Sequence, residues 1–455
     1  MSDCRRPSYG GNHGLPPHAG SPARPPVSNL PFGFGPPGDD DREGGRGPAD
    51  PFAGLFGAGG SPADLGAALH QFADLMSYSG GPVNWDLARQ TALTTAGEDD
   101  PGTTAAESAE VAESLRLADL WLDPVTVLPS GVTAAEAWSR RRWVEATLPT
   151  WTELCDPVAA RVVDAMGGAL PEEMAAFAGP LAGVMRQVGG MMFGGQLGSA
   201  IASLAREVVS STDIGLPLGP AGRAALLPAN VSAYGGGLQV PADEVRLFLA
   251  LREAAHHRLF GHVPWLRGHL VGLVHAYASG ITIDGSALQS MMADLDPTDP
   301  ESLQRALAGG MFEPEQTEAQ QAALRRLETA LALVEGWVDE VVAAAAGSAL
   351  PSATALRETV RRRRASGGPA EQTFATLVGL ELRPRRLREA AALWLSLLEI
   401  RGIEGRDAIW SHPDLLPTAD DLDDPSGFGT TVPLDLSSLL DPGPDGGDAA
   451  GETSS

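Results

Sequence analysis

Through most of the middle of the chain, apolar residues recur three and four positions apart, the spacing that lays them along one face of an α-helix. The pattern predicts a helix opening at Ser61-Pro62 with Leu65, Leu69, Phe72 and Leu75 on one side. A further helix carries Val111, Leu115, Ala118 and Leu122, and Thr133 with Glu136 reads as a capping box for AAEAWSRRRWVEATL. Helices are also expected from Pro157 to Met166, from Pro171 to Met185 and from Gln196 to Val209. A long one covers Glu315 to Ala345, where Leu324, Leu327, Leu331, Val334, Val338 and Val341 keep the period. Only Ala224 to Val240 departs from it. There, short β-capable pieces around Leu226 and Val231 are separated by turn residues, which predicts a small sheet. The fold class that follows is mainly α, with a small β element ahead of the next helix.

That next stretch, Asp243 to Leu270 (DEVRLFLALREAAHHRLFGHVPWLRGHL), organises the rest. Val245, Phe248, Leu249, Ala255, Leu259 and Phe260 form a broad apolar stripe, and Arg252 and His256 fall inside it, one turn apart. Glu253 stands at its edge. A buried charge and a buried imidazole are costly without partners, so this helix must draw polar groups from elsewhere in the fold. On the long helix near residue 335, Glu335 sits at the edge of the apolar stripe and Asp339 one turn later, so that helix can offer carboxylates to a half-buried site.

Composition bounds the foldable part. The chain has 455 residues, and its 55 Gly and 37 Pro crowd the two ends. Residues 1–60 are therefore expected to form a disordered Pro/Gly-rich arm, 61–425 one domain, and 426–455 a disordered acidic tail. A net charge of -26 disfavours nucleic acid and anionic membrane surfaces as partners. Cys4 and Cys155 are the two cysteines and give no disulfide framework. With no secretory signal after Met1, the expectation is a cytoplasmic protein. The apolar stretch from Gly179 to Ser203 is a poor membrane span, because Arg186, Gln187 and Gln196 interrupt it. Arg361 to Arg364 form a basic run for which internal acidic partners are the expected use.

Candidate chemistry centres on REAAH, Arg252 to His256. In the pattern H-E-x-x-H two imidazoles on one helix face hold zinc, and the intervening Glu activates the metal-bound water. This chain has the Glu and the second His, but Arg252 occupies the first position, and a guanidinium has no lone pair for a cation. A di-iron bundle would need a second E-x-x-H, which the chain lacks. It also lacks G-x-S-x-G, a recognisable Cys/His pair, a P-loop and a dinucleotide fingerprint.

The order LLPANVSAYGGG, FLALREAAHHRLFGHVPWLRGHL, LALVEGWVDEVV and RDAIWSHPDLLPTADDLDDP resembles the zincin-like metallopeptidase family. The likeness reaches upstream through QLGSAIASLAREVVSSTDIGLPLG to GPVNWDLARQ, over residues 80 to 425. The resemblance implies a zincin-like helical domain and a zinc-dependent hydrolase that splits amide or peptide bonds. It maps the general base onto Glu253, and the second His ligand and a glutamate ligand for zinc onto His256 and Glu335. Trp337 stands where one branch of the family has a His in an EGH segment. His257, His262, His269, His275 and Asp339 are candidates for a further ligand. The competing reading is a metal-free homologue in which Arg252 pairs with Glu335 and the protein serves as a binding or scaffold protein. An unidentified peptide or small molecule is the expected substrate of the first reading.

Overall fold

The computed structural model describes residues 81–168, 178–280, 317–366 and 386–430. The expected helix at Ser61-Pro62, most of the segment from Pro171 to Met185, and most of the two end segments lie outside the described residues. Helices dominate. In chain order they are α1 (Trp85–Gly97), α2 (Ala105–Leu122), α3 (Arg140–Gly168), α4 (Ala178–Glu207), α5 (Pro228–Gly235), α6 (Ala242–His262), α7 (Leu266–Ser279), α8 (Glu318–Ala346), α9 (Ala353–Ser366), α10 (Leu387–Asp407) and α11 (Pro425–Thr430). The last of these straddles the expected start of the tail. Among the described residues no helix is long and apolar enough to cross a membrane.

The sheet is real but differently made than the sequence suggests. It has two parallel strands, β1 (Ala134–Ala137) and β2 (Arg223–Leu226), in the register Ala134 to Arg223 through Ala137 to Leu226. Val231 is not in a strand, because Pro228 starts α5 at the first helical turn and carries the chain through Asn230 and Val231 as helix. Nor do Thr133 and Glu136 cap a helix. Thr133 instead bonds the Gly222 carbonyl through its amide and hydroxyl, and Glu136 takes Arg223 at 2.6 Å and the Trp138 indole at 2.7 Å. The helix then begins at Arg140, with the Ser139 hydroxyl accepting from the Arg142 amide. Ala-Ala-Glu-Ala prefers helix intrinsically, but a fixed strand partner outweighs a local preference of a few tenths of a kcal/mol per residue. Elsewhere local signals hold. Thr317 and Gln320 close a capping box at the start of α8, as Thr104 and Glu107 do for α2.

The core runs through the whole described body, and α6 lies at its centre. From Val245 to Leu259 this helix is buried on nearly every side rather than along one stripe, packed by α2, α8, β2, α5 and α9. A helix enclosed all round must satisfy every polar side chain internally. It does so in separate sectors. Arg258 turns toward α2, donating to Asp119, Asp123 and the Leu128 carbonyl. Glu253 and His257 face β2, and Arg252 and His256 face α8. The α8 helix is placed by its other face, where Gly336 lets α10 approach; a methyl there would sit 2.8 Å from Ala390 Cβ.

Candidate functional site

Two segments far apart in sequence, REAAH on α6 and LVEGWVD on α8, meet in the interior. Arg252 donates from Nη2 to Glu335 Oε2 at 2.6 Å, with side-chain exposures of 8% and 1%. His256 Nε2 lies 3.2 Å from Glu335 Oε1, and its Nδ1 lies 2.9 Å from the Arg252 carbonyl. A second guanidinium joins from α9, where Arg364 donates to Glu335 Oε1 at 3.1 Å. Behind the carboxylate, Gly215 packs at a positive φ of 78°, and a Cβ there would lie 2.8 Å from Glu335 Oε1. Burial by itself would raise the Glu335 carboxyl, but the charges of Arg364 and Arg252 and the bond from His256 hold it well below the usual carboxylate range. The result is one buried acid paired with two guanidiniums.

Glu253, one residue along from Arg252, belongs to a different cluster. Its Oε2 accepts from the Thr212 hydroxyl at 2.6 Å and the Thr212 amide at 3.2 Å. Its Oε1 accepts from the Ala225 amide of β2 at 3.0 Å, from His257 Nε2 at 3.2 Å and from the Ser211 hydroxyl. Desolvation pushes this carboxyl up, yet the His257 bond and charge and the two hydroxyls outweigh it and bring it down to about 2. The small sheet thus has a structural task, since it presents the Ala225 amide to a buried carboxylate. The 211–215 loop is shared: Ser211 and Thr212 hold Glu253, while Gly215 abuts Glu335.

So the structure brings His256 and Glu335 together, with Arg252 on the same carboxylate, and places Glu253 among donors of its own. The candidate further ligands are engaged elsewhere. His257 serves Glu253, His262 meets the Ser130 carbonyl at 3.1 Å, and His275 meets the Glu153 carbonyl at 3.2 Å. His269 stands edge-on to Trp265, and Asp339 takes Arg357 and Arg361. Trp337 turns away to α10, donating to Asp407 at 2.9 Å. The internal partners expected for the basic run are present: Arg361 with Asp339, Arg363 with Asp213 and Arg364 with Glu335. Sequence reading missed the particular role of Arg364 and the holding of Glu253 by Ser211 and Thr212. The polar pair inside VVSSTDIG, set between apolar runs, was the signal available for the latter.

Zinc does not fit this donor set as it is folded. Both oxygens of Glu335 already receive guanidinium hydrogens, and Arg252 fills the position of the first His ligand with a side chain that has no lone pair for a metal. Structural zinc sites present four protein ligands and catalytic ones three. Among the described residues no group of three or more His, Cys, Asp or Glu side chains is placed to hold a metal ion.

Comparison with known proteins agrees with the fold. A crystal structure of a putative hydrolase with a novel fold from Chloroflexus aurantiacus superposes with a TM-score of 0.51 at 20% identity, covering 76% of this chain and 97% of that one. At that identity the likeness concerns architecture. A search of curated proteins gives no match. The model of the zincin-like metallopeptidase family matches residues 83–428, from the turn before α1 to the middle of α11, and takes in both halves of the Arg252, His256 and Glu335 cluster. The chain belongs to the zincin-like metallopeptidase family.

Proposed function

We propose that this chain is a metal-free member of its family, in which an ion-pair cluster has taken the place of a catalytic zinc and the protein acts in binding rather than in zinc-dependent hydrolysis. The observation that carries this is the 2.6 Å contact from Arg252 to Glu335 inside the core. Arg252 brings a fixed positive charge to the carboxylate that the family resemblance assigns to the metal, so the charge a zinc ion would supply is already present. Arg364 adds a second. The proton-transfer role that the same resemblance assigns to Glu253 also has little room. A carboxyl held near 2 by five donors is a weak base, and it has no exposed surface from which to reach a substrate.

The zinc-dependent hydrolase reading, with Glu253 as base and His256 and Glu335 as ligands, draws its support from the family match. Metal analysis separates the two. Full-length protein purified without chelators or metal-affinity resin is expected to carry zinc far below one ion per chain, and His256→Ala is expected to leave that content unchanged. Stoichiometric zinc that disappears in His256→Ala would refute the metal-free reading.

A further inference from the structure

We infer that the recess lined by Arg252 and Tyr234 is a binding site for one oxygen of a ligand carboxylate. The recess lies among α5, α6, α9 and the loop holding Asp213, and its wall includes Tyr234, Arg252, Arg363, Arg364 and Asp213. Its volume is about 10 Å³, room for one oxygen atom or one water. The inference rests on the metal-free reading in one respect: Arg252 must stay on Glu335.

Two donors from different elements lack an acceptor. Arg252 uses Nη2 on Glu335, and its remaining N–H groups have no hydrogen-bond partner among the described residues, although the residue is only 6% exposed. The Tyr234 hydroxyl of α5 is buried with no hydrogen-bond partner among the described residues. Arg363 lies over the Tyr234 ring at 5.6 Å and so holds that ring against the wall. Guanidiniums only donate, so an acceptor is the chemistry this wall lacks. Among the residues named in the wall, Asp213 is the one acid, and it is committed: it accepts from the Val209 amide at 3.0 Å and pairs with Arg363 at 3.5 Å.

The size and the charge select the ligand. One oxygen of a carboxylate fills that room and can accept from both Arg252 and the Tyr234 hydroxyl. A phosphate brings a greater negative charge toward the Asp213 carboxylate than a carboxylate does, which disfavours it. The ligand class is therefore a monoanion with an accessible carboxylate, such as the terminus of a peptide or a small organic acid.

The test uses full-length protein dialysed against a chelator, with unfolding followed as acetate is raised at constant ionic strength and with chloride and inorganic phosphate as comparisons. Acetate is expected to stabilise saturably where chloride does not, with phosphate much weaker. Tyr234→Phe removes one hydrogen bond to a charged group and is expected to weaken acetate about tenfold. The same variant, freed of a buried hydroxyl without a partner, is expected to be at least as stable as the parent in the absence of acetate. The inference is overturned by an absence of saturable stabilisation, by equal acetate affinity in Tyr234→Phe, by phosphate binding as well as acetate, or by a less stable acetate-free Tyr234→Phe. If acetate binds only after zinc is added, the anion is a metal ligand, and the metal-free reading falls as well. If neither zinc nor acetate binds, only this inference falls.

Discussion

Replacing Glu335 by Gln tests the cluster at its centre, because it keeps the shape of the side chain and removes its charge. In the parent protein two guanidiniums donate to the carboxylate, Arg252 to Oε2 and Arg364 to Oε1, and His256 Nε2 lies 3.2 Å from Oε1. Glutamine offers a single acceptor oxygen, and its amide turns two hydrogens toward groups that themselves carry only hydrogens. Both guanidiniums are nearly enclosed, with side-chain exposures of 8% and 7%, so bulk water compensates them poorly. Removing one partner of a buried ion pair costs about 3–5 kcal/mol, most of it the penalty of the charge left behind. Glu335→Gln is expected in that range by urea unfolding, read from the midpoint at an unchanged slope. Adding Arg252→Met should cost less than the sum of the two single changes, since one stranded cation is then gone. A loss below about 1 kcal/mol for Glu335→Gln would refute the view that this carboxylate holds the guanidiniums in the core.

Two further outcomes follow from the neighbouring residues. The Glu253 carboxyl is brought down from an ordinary 4.5 to about 2, so its contribution to stability is complete above the unfolded value and is lost as pH falls from about 4.5 through about 2; a shift of that size corresponds to about 3 kcal/mol as an upper figure. Thr212→Val, which removes the 2.6 Å hydroxyl bond, is therefore expected to cost about 1.5–3 kcal/mol at neutral pH, with the difference shrinking as unfolding is repeated toward pH 2; a pH-independent difference would contradict the assignment. Gly215→Ala places a Cβ 2.8 Å from Glu335 Oε1 on a backbone at φ 78°, and is expected to lower stability by about 1–3 kcal/mol in the same assay, with a neutral effect counting against the close packing.

The sequence alone determined most of the described helices, because their apolar period is a local property. The run from Leu324 to Val341 became α8 within a few residues of its expected ends, and Asp243 to Leu270 became α6 and α7 around the break at Val263-Pro264. It also marked Arg252 and His256 as polar groups in need of partners, and Glu335 at the edge of its stripe as a carboxylate that could be offered to them. The family resemblance supplied the pairing of those segments, and the family match bears out the resemblance. Tertiary structure decided what local signals could not. Ala134–Ala137 forms a strand against its helical propensity because Arg223–Leu226 runs beside it, nearly ninety positions away in the chain. Arg364 rather than its neighbours reaches Glu335, because the pitch of α9 aims successive arginines of one basic run at different acids. Glu253 and Arg252, adjacent in sequence, enter separate clusters because consecutive residues of a helix point about 100° apart, and a helix buried all round finds a different neighbour in each direction.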